Sequence, residues 1–230
     1  MYIAPSARAH PIYLPSEVAA ERSMKLKSLW AKFIGLAISM IGVTASHAAA
    51  LSVHVTDAAG WPSVDAVVYV EPVGGQTLPK QLRSAQIEQS ARKFLPSVTV
   101  IQTGSTVSFP NHDSVRHHVY SFSSPKIFEL KLYSGAGGEP VLFDKPGTVV
   151  VGCNIHDQMA AYIHIVDTPY FGKTGTDGKV TIENIHSGKY QVKVWHANMQ
   201  ASTAIPAQAI TIGNADLTLP ILLTFKTEKK

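Results

Sequence analysis

Thr148-Val-Val-Val-Gly-Cys153-Asn-Ile-His156-Asp-Gln-Met159, followed by Ala161-Tyr-Ile-His-Ile-Val166, decides how this chain is read. A β-branched run enters, a short polar loop follows and a second apolar run leaves, which is the pattern of two strands joined by a loop. The loop carries the only cysteine of the chain, then a histidine and a methionine at three-residue steps. Strands on both sides convert these residues from a motif into a positioned cluster of side chains.

Outward from this stretch the pattern stays β. Residues 51–56 alternate apolar and polar, 57–60 form a turn and 65–70 form a second strand, so the two predict a hairpin. Further strands are expected at 98–102, 106–110, 118–122, 128–132 and 140–143, with Pro110 ending one of them. Beyond Pro169 come four more, at 176–185, 187–196, 208–212 and 217–225. Residues 85–94 mix Gln, Glu, Arg and Lys at irregular spacing and fit either one helical turn or an extended edge segment. Many short strands separated by turn signals predict an all-β chain built as a sandwich or barrel.

Composition narrows the function. With 230 residues and 45% hydrophobic content, the chain is long and apolar enough for one or two cores. Its formal charge of +4 belongs mostly to the first fifty residues, which hold five Lys/Arg and two Glu; the remainder is net +1. Nucleic-acid binding thereby loses its electrostatic basis. Residues 24–50 have a basic start, an apolar run and a small-residue end, and are expected to be a signal peptide exporting the protein to the periplasm. Residues 1–23 are expected to lie upstream of the true start. Cysteines of exported proteins usually pair, but a single one has no internal partner and is free to bind metal.

A thiolate, an imidazole and a thioether suit copper among the common metals. A second imidazole is expected from residues 109–119, which hold His112, His117 and His118. His117 is favoured because it lies where the loop re-enters a strand, although His118 competes and points to the opposite face. Two imidazoles and a thiolate with a weak axial thioether tolerate both oxidation states of copper, whereas a tetrahedral zinc site has no use for Met159.

Phe109-x-Asn111-(x)5-His117-x-Val119, together with Cys153-x-x-His156-x-x-Met159, resembles the cupredoxins, the small blue copper proteins. The loop spacing is most similar to amicyanin and to the plastocyanin-like proteins linked with methylamine utilisation. The resemblance implies a Greek-key cupredoxin β-sandwich over residues 72–167. It implies one copper ion, cycling between Cu(I) and Cu(II), held by His117, Cys153, His156 and Met159, with His156 as the electron port. It also implies a monomeric electron carrier whose partner is a periplasmic redox protein such as a c-type cytochrome or a dehydrogenase. Where the family usually has Asn after the first ligand histidine, tying the ligand loops together, this chain has His118. Val53-x-Val55-x-Asp57-x-x-Gly60-x-Pro62 and Thr176-Asp-Gly-Lys-Val-x-Ile resemble the two halves of a carboxypeptidase-regulatory-like, transthyretin-type module. This implies a second small β-sandwich of residues 51–71 and 168–230, split around the copper domain.

Other classes have less support. Non-redox copper storage, delivery or sensing is the alternative, with His112, His118 and His164 as weak extra sites. No enzyme motif is present, and the several His-x-His pairs of a multicopper oxidase are missing. Phe122, Phe128, Phe143, Tyr162 and Trp195 are expected to be core, and His186 and His196 to serve turns or packing.

Overall fold

The computed structural model describes residues 48–76, 78–199 and 204–224. The expected leader lies outside them except for its last three residues. Among the described residues every regular element is a strand, and no helix is long and apolar enough to cross a membrane.

In chain order the strands begin with β1 (Ala49–Asp57) and β2 (Val67–Pro72). A middle block follows: β3 (Ala85–Gln86), β4 (Glu88–Ser90), β5 (Lys93–Leu95), β6 (Val98–Gln102), β7 (Ser105–Ser108), β8 (His117–Ser121), β9 (Phe128–Tyr133), β10 (Val141–Phe143), β11 (Gly147–Cys153) and β12 (Ala160–Val166). The last group is β13 (Phe171–Lys173), β14 (Lys179–Ile185), β15 (Gly188–Trp195), β16 (Ala207–Ile212) and β17 (Leu217–Leu223).

Two pairs of sheets result. In the first, β14-β1-β17 faces β13-β2-β15-β16 across a core that includes Leu51, Val53, Val68, Val70, Tyr190 and Val192. In the second, β10-β7-β3 faces β6-β12-β11-β8-β9 across a core that includes Val107, Phe143, Val149, Val151, Ile163 and Cys153. Each fully buried Val, Ile or Leu side chain contributes about 1.5–3 kcal/mol to such a core.

Two expectations change, and the choice left open at residues 85–94 falls to the extended form. Strands β1 and β2 do not form a hairpin: β1 pairs with β14 and, in parallel, with β17, while β2 lies between β13 and β15. Their apolar residues face one another across the core instead of lying side by side, so the connection crosses between sheets. Residues 85–94 contain no helical turn. Ile87 and Gln89 are buried at the two-residue period of a strand, a pattern obscured because Gln89 is a polar residue in a core position. Its amide donates to Phe109 O (2.9 Å) and to the Tyr133 hydroxyl (2.6 Å). Phe122 is not core, being 80% exposed.

The two sandwiches touch through a third apolar cluster of Val67, Tyr69, Val98, Val166 and Trp195. Strand β12 is therefore buried on both faces, with Ala161, Ile163 and Ile165 in one core and Tyr162 and Val166 at the contact, which explains its continuous apolar reading. His164 sits on that second face. Its ring stacks on Trp195 (centroids 4.8 Å, planes 15° apart) and lies 5.3 Å from Tyr69, with Nδ1 3.0 Å from Thr148 Oγ1.

Burial pushes the His164 imidazole down from 6.5 to about 4. The unfolded chain takes up this proton below its ordinary value, whereas the folded chain refuses it until about pH 4. The contribution is thus complete above pH 6.5 and is lost as pH falls towards 4, by on the order of 3 kcal/mol. Denaturant unfolding of the metal-free protein should show this loss between neutral and acid pH, and His164→Phe should lack it.

Candidate metal centre

The centre is built where two neighbouring strands end. Cys153 is the last residue of β11 and pairs in register with Val119 of β8, whose first residue is His117. One sheet therefore fixes two donors that lie far apart in the chain. Cys153 Sγ lies 3.6 Å from His117 Nδ1 and 3.8 Å from His156 Nδ1. The two imidazole centroids are 5.0 Å apart with planes at 58°. Among the described residues this is the one group of three His, Cys, Asp or Glu side chains whose donor atoms converge, all within 4.8 Å of one another.

Backbone hydrogen bonds shape the loop. The Met159 N–H donates to His156 O (2.9 Å), and the Cys153 N–H donates to Met159 O (3.2 Å). This closed loop brings residues 153, 156 and 159 back towards one another, and Met159 is buried in the same apolar cluster as Cys153. His117 is wholly buried, Cys153 is buried and His156 is half-buried.

The other candidate histidines lie elsewhere. His118 points to the opposite face of β8, where Nε2 lies 2.9 Å from Glu129 Oε1, an ion-pair separation without hydrogen-bond alignment. His112 is exposed, 4.0 Å from Glu88 Oε2. His164 is buried at the contact between the sandwiches, while His196 serves a turn, its Nδ1 accepting from the Asn198 N–H. The two loops are tied by backbone: Asn154 N–H donates to His118 O (3.3 Å).

Two residues carry more of the site than their sequence positions suggest. Asn111 is buried, and its side chain donates to Val115 O (2.8 Å) and Tyr133 O (2.9 Å) while accepting from Asp113 N–H (2.9 Å). It thereby pins both ends of the turn before His117. Asp113 was absent from the sequence-derived set, yet its Oδ2 lies 2.8 Å from His117 Nε2. The available signal was a carboxylate four residues ahead of a candidate ligand. Burial pushes the Asp113 carboxyl up, but hydrogen bonds from Arg92 N–H, His117 and Ala91 N–H outweigh it and hold the group below its usual range.

The spacing suits a metal ion. Bonds of about 2.3 Å to sulfur and about 2.0 Å to nitrogen leave those atoms about 3.7 Å apart in a trigonal plane and about 3.5 Å apart in a tetrahedron. The observed 3.6 and 3.8 Å bracket the trigonal value.

No protein-family model and no curated protein matches the chain. Among solved structures it is similar to a purple cupredoxin from Nitrosopumilus maritimus, at 24% identity over 35% of this chain and 98% of that one, with a TM-score of 0.30. Amicyanin from Paracoccus versutus is 14% identical over 42% of this chain and 97% of that one, with a TM-score of 0.32. A copper-containing nitrite reductase from Thermus scotoductus is 23% identical over 49% of this chain and 28% of that one, with a TM-score of 0.34. Likenesses this remote assign no function.

Asn111→Ala removes three partly buried hydrogen bonds, each contributing about 1 kcal/mol. The metal-free variant should lose about 2–3 kcal/mol in denaturant unfolding, and the full protein should bind metal more weakly in competition with a chelator.

Proposed function

We propose that this chain is an exported type 1 copper protein that carries single electrons, holding one copper ion at His117, Cys153, His156 and Met159. The observation that carries the proposal is the buried Cys153 thiol with an imidazole nitrogen on each side at 3.6 and 3.8 Å. When bound, copper supplies a one-electron couple, and a two-imidazole, one-thiolate set with a distant thioether suits both of its oxidation states.

The remaining work falls to the chain itself. Strands β8 and β11 hold His117 and Cys153 in one sheet, so the donor positions persist when charge changes. Burial of His117, Cys153 and Met159 keeps water away. His156 is the one donor of the converging group that is not fully buried, and it is our choice for the point where electrons enter and leave. Asp157 beside it is exposed and sets the local charge that a partner meets. For that partner we propose a periplasmic redox protein, a c-type cytochrome or a dehydrogenase, approached by a monomer.

We further propose that residues 72–167 are the copper domain, inserted into a carboxypeptidase-regulatory-like module of residues 51–71 and 168–230. Supporting this division, β1 and β2 hydrogen-bond to strands beyond Phe171 and not to those of the middle block.

The copper-loaded protein should show an intense thiolate-to-copper absorption and the narrow copper hyperfine splitting of a type 1 site in electron paramagnetic resonance, both lost in Cys153→Ser. A colourless, redox-silent copper protein would overturn the proposal. Met159→Leu should keep the colour and raise the reduction potential, as replacement of a weak axial ligand by an apolar group does, read by redox titration.

A further inference from the structure

The Asp113 carboxylate joins two parts of the structure that its sequence position does not connect. On one side Oδ2 meets His117 Nε2 at 2.8 Å. On the other, Ala91 N–H donates to Oδ1 (2.7 Å) and Arg92 N–H donates to Oδ2 (2.9 Å). Ala91 and Arg92 are the two loop residues of the β4–β5 hairpin, whose pairing runs Glu88↔Leu95, Gln89↔Phe94 and Ser90↔Lys93. Both occupy the left-handed region, at φ 51° and 57°.

Turns of this shape normally use Asn-Gly or Gly-Gly, because a Cβ is disfavoured in the left-handed region. Neither position is glycine, so the turn needs a compensating contact, and its two N–H groups both donate to Asp113. The Asp113 backbone is itself held by Asn111, whose Oδ1 accepts from the Asp113 N–H.

Both carboxylate oxygens accept from backbone N–H groups, so the proton shared with His117 resides on Nε2. The lone pair of the neutral ring is then on Nδ1, the atom facing Cys153 Sγ at 3.6 Å. An anionic partner on the far nitrogen also makes the imidazole a stronger donor, which favours the more highly charged state of a bound metal.

We propose that Asp113 is the positioning residue of His117: it fixes the ring with Nδ1 free to bind metal, and the strained Ala91-Arg92 turn is its mount. The proposal rests on the copper reading above, but its first test does not. In the metal-free wild-type protein, ¹⁵N chemical shifts of the His117 imidazole should report the Nε2–H tautomer, and the Ala91 and Arg92 amides should be protected from hydrogen exchange. An Nδ1–H tautomer would overturn the proposal whether or not the protein binds copper. In the copper-loaded protein, Asp113→Asn should retain the thiolate-to-copper band and raise the reduction potential, whereas Arg92→Gly should keep both band and potential and increase stability. An unchanged potential in Asp113→Asn would also overturn it. If that variant does not fold, the wild-type tautomer decides the matter alone. A missing band in wild type with the Nε2–H tautomer present would refute the copper reading and leave the Asp113–His117 assignment standing.

Discussion

Two side chains 36 positions apart can converge only if one rigid body holds both, and here that body is the β8–β11 pairing. Cys153 stands opposite Val119, and Gly152 stands opposite Tyr120. The glycine makes the approach close, because a Cβ on residue 152 would lie 3.2 Å from the Tyr120 ring and the ring would have to shift. Without a side chain at that position, the tyrosine ring lies against the strand immediately before the cysteine. β11 also has β12 on its other side, so the cysteine closes a strand that cannot shift without disturbing a five-stranded sheet.

Around this pairing the site is graded from buried to accessible. His117 is enclosed and tied outward through Asp113 to a hairpin. Cys153 and Met159 belong to the apolar core, and His156 reaches solvent. The grading follows from position: His117 and Cys153 are on strands, where inward residues meet a packed core, whereas His156 is on the loop from β11 to β12. The same sandwich uses the outer face of β12 against its neighbour, where a neutral histidine is stacked between aromatic rings.

Much of this was legible from the residues. Alternating and β-branched runs marked the strands, and the three-residue steps from Cys153 marked the loop that brings Cys153 and His156 together, because both patterns are local. The errors were non-local. Strands β1 and β2 looked like a hairpin because proximity in sequence is a poor guide in a sandwich whose successive strands change sheets. Phe122 looked like core because it was read as the last residue of an alternating strand, which ends one residue earlier at Ser121. The choice between His117 and His118 depended on which face of β8 turns inward, and alternation alone leaves that open until the sheet has a partner. Asp113 was missed for a different reason. Its four-residue spacing from His117 hinted at the imidazole contact, but its two backbone N–H donors lie in a turn with no turn-forming residues, which nothing local announces.

The parallel pairing of β1 with β17 closes a loop that encloses every other described strand. Ala50 and Asp216 are joined by a hydrogen bond across 166 positions, so the contacts of β1 are strongly non-local and require a long loop to close first. The paired strands of the middle block lie between Ala85 and Val166, where shorter loops close at lower entropic cost. The sandwich that contains β1 therefore carries the larger loop-closure cost of the two. Until that loop closes, its opening strand, Ala49–Asp57, has unpaired edges, the condition in which strands most readily find the wrong partner.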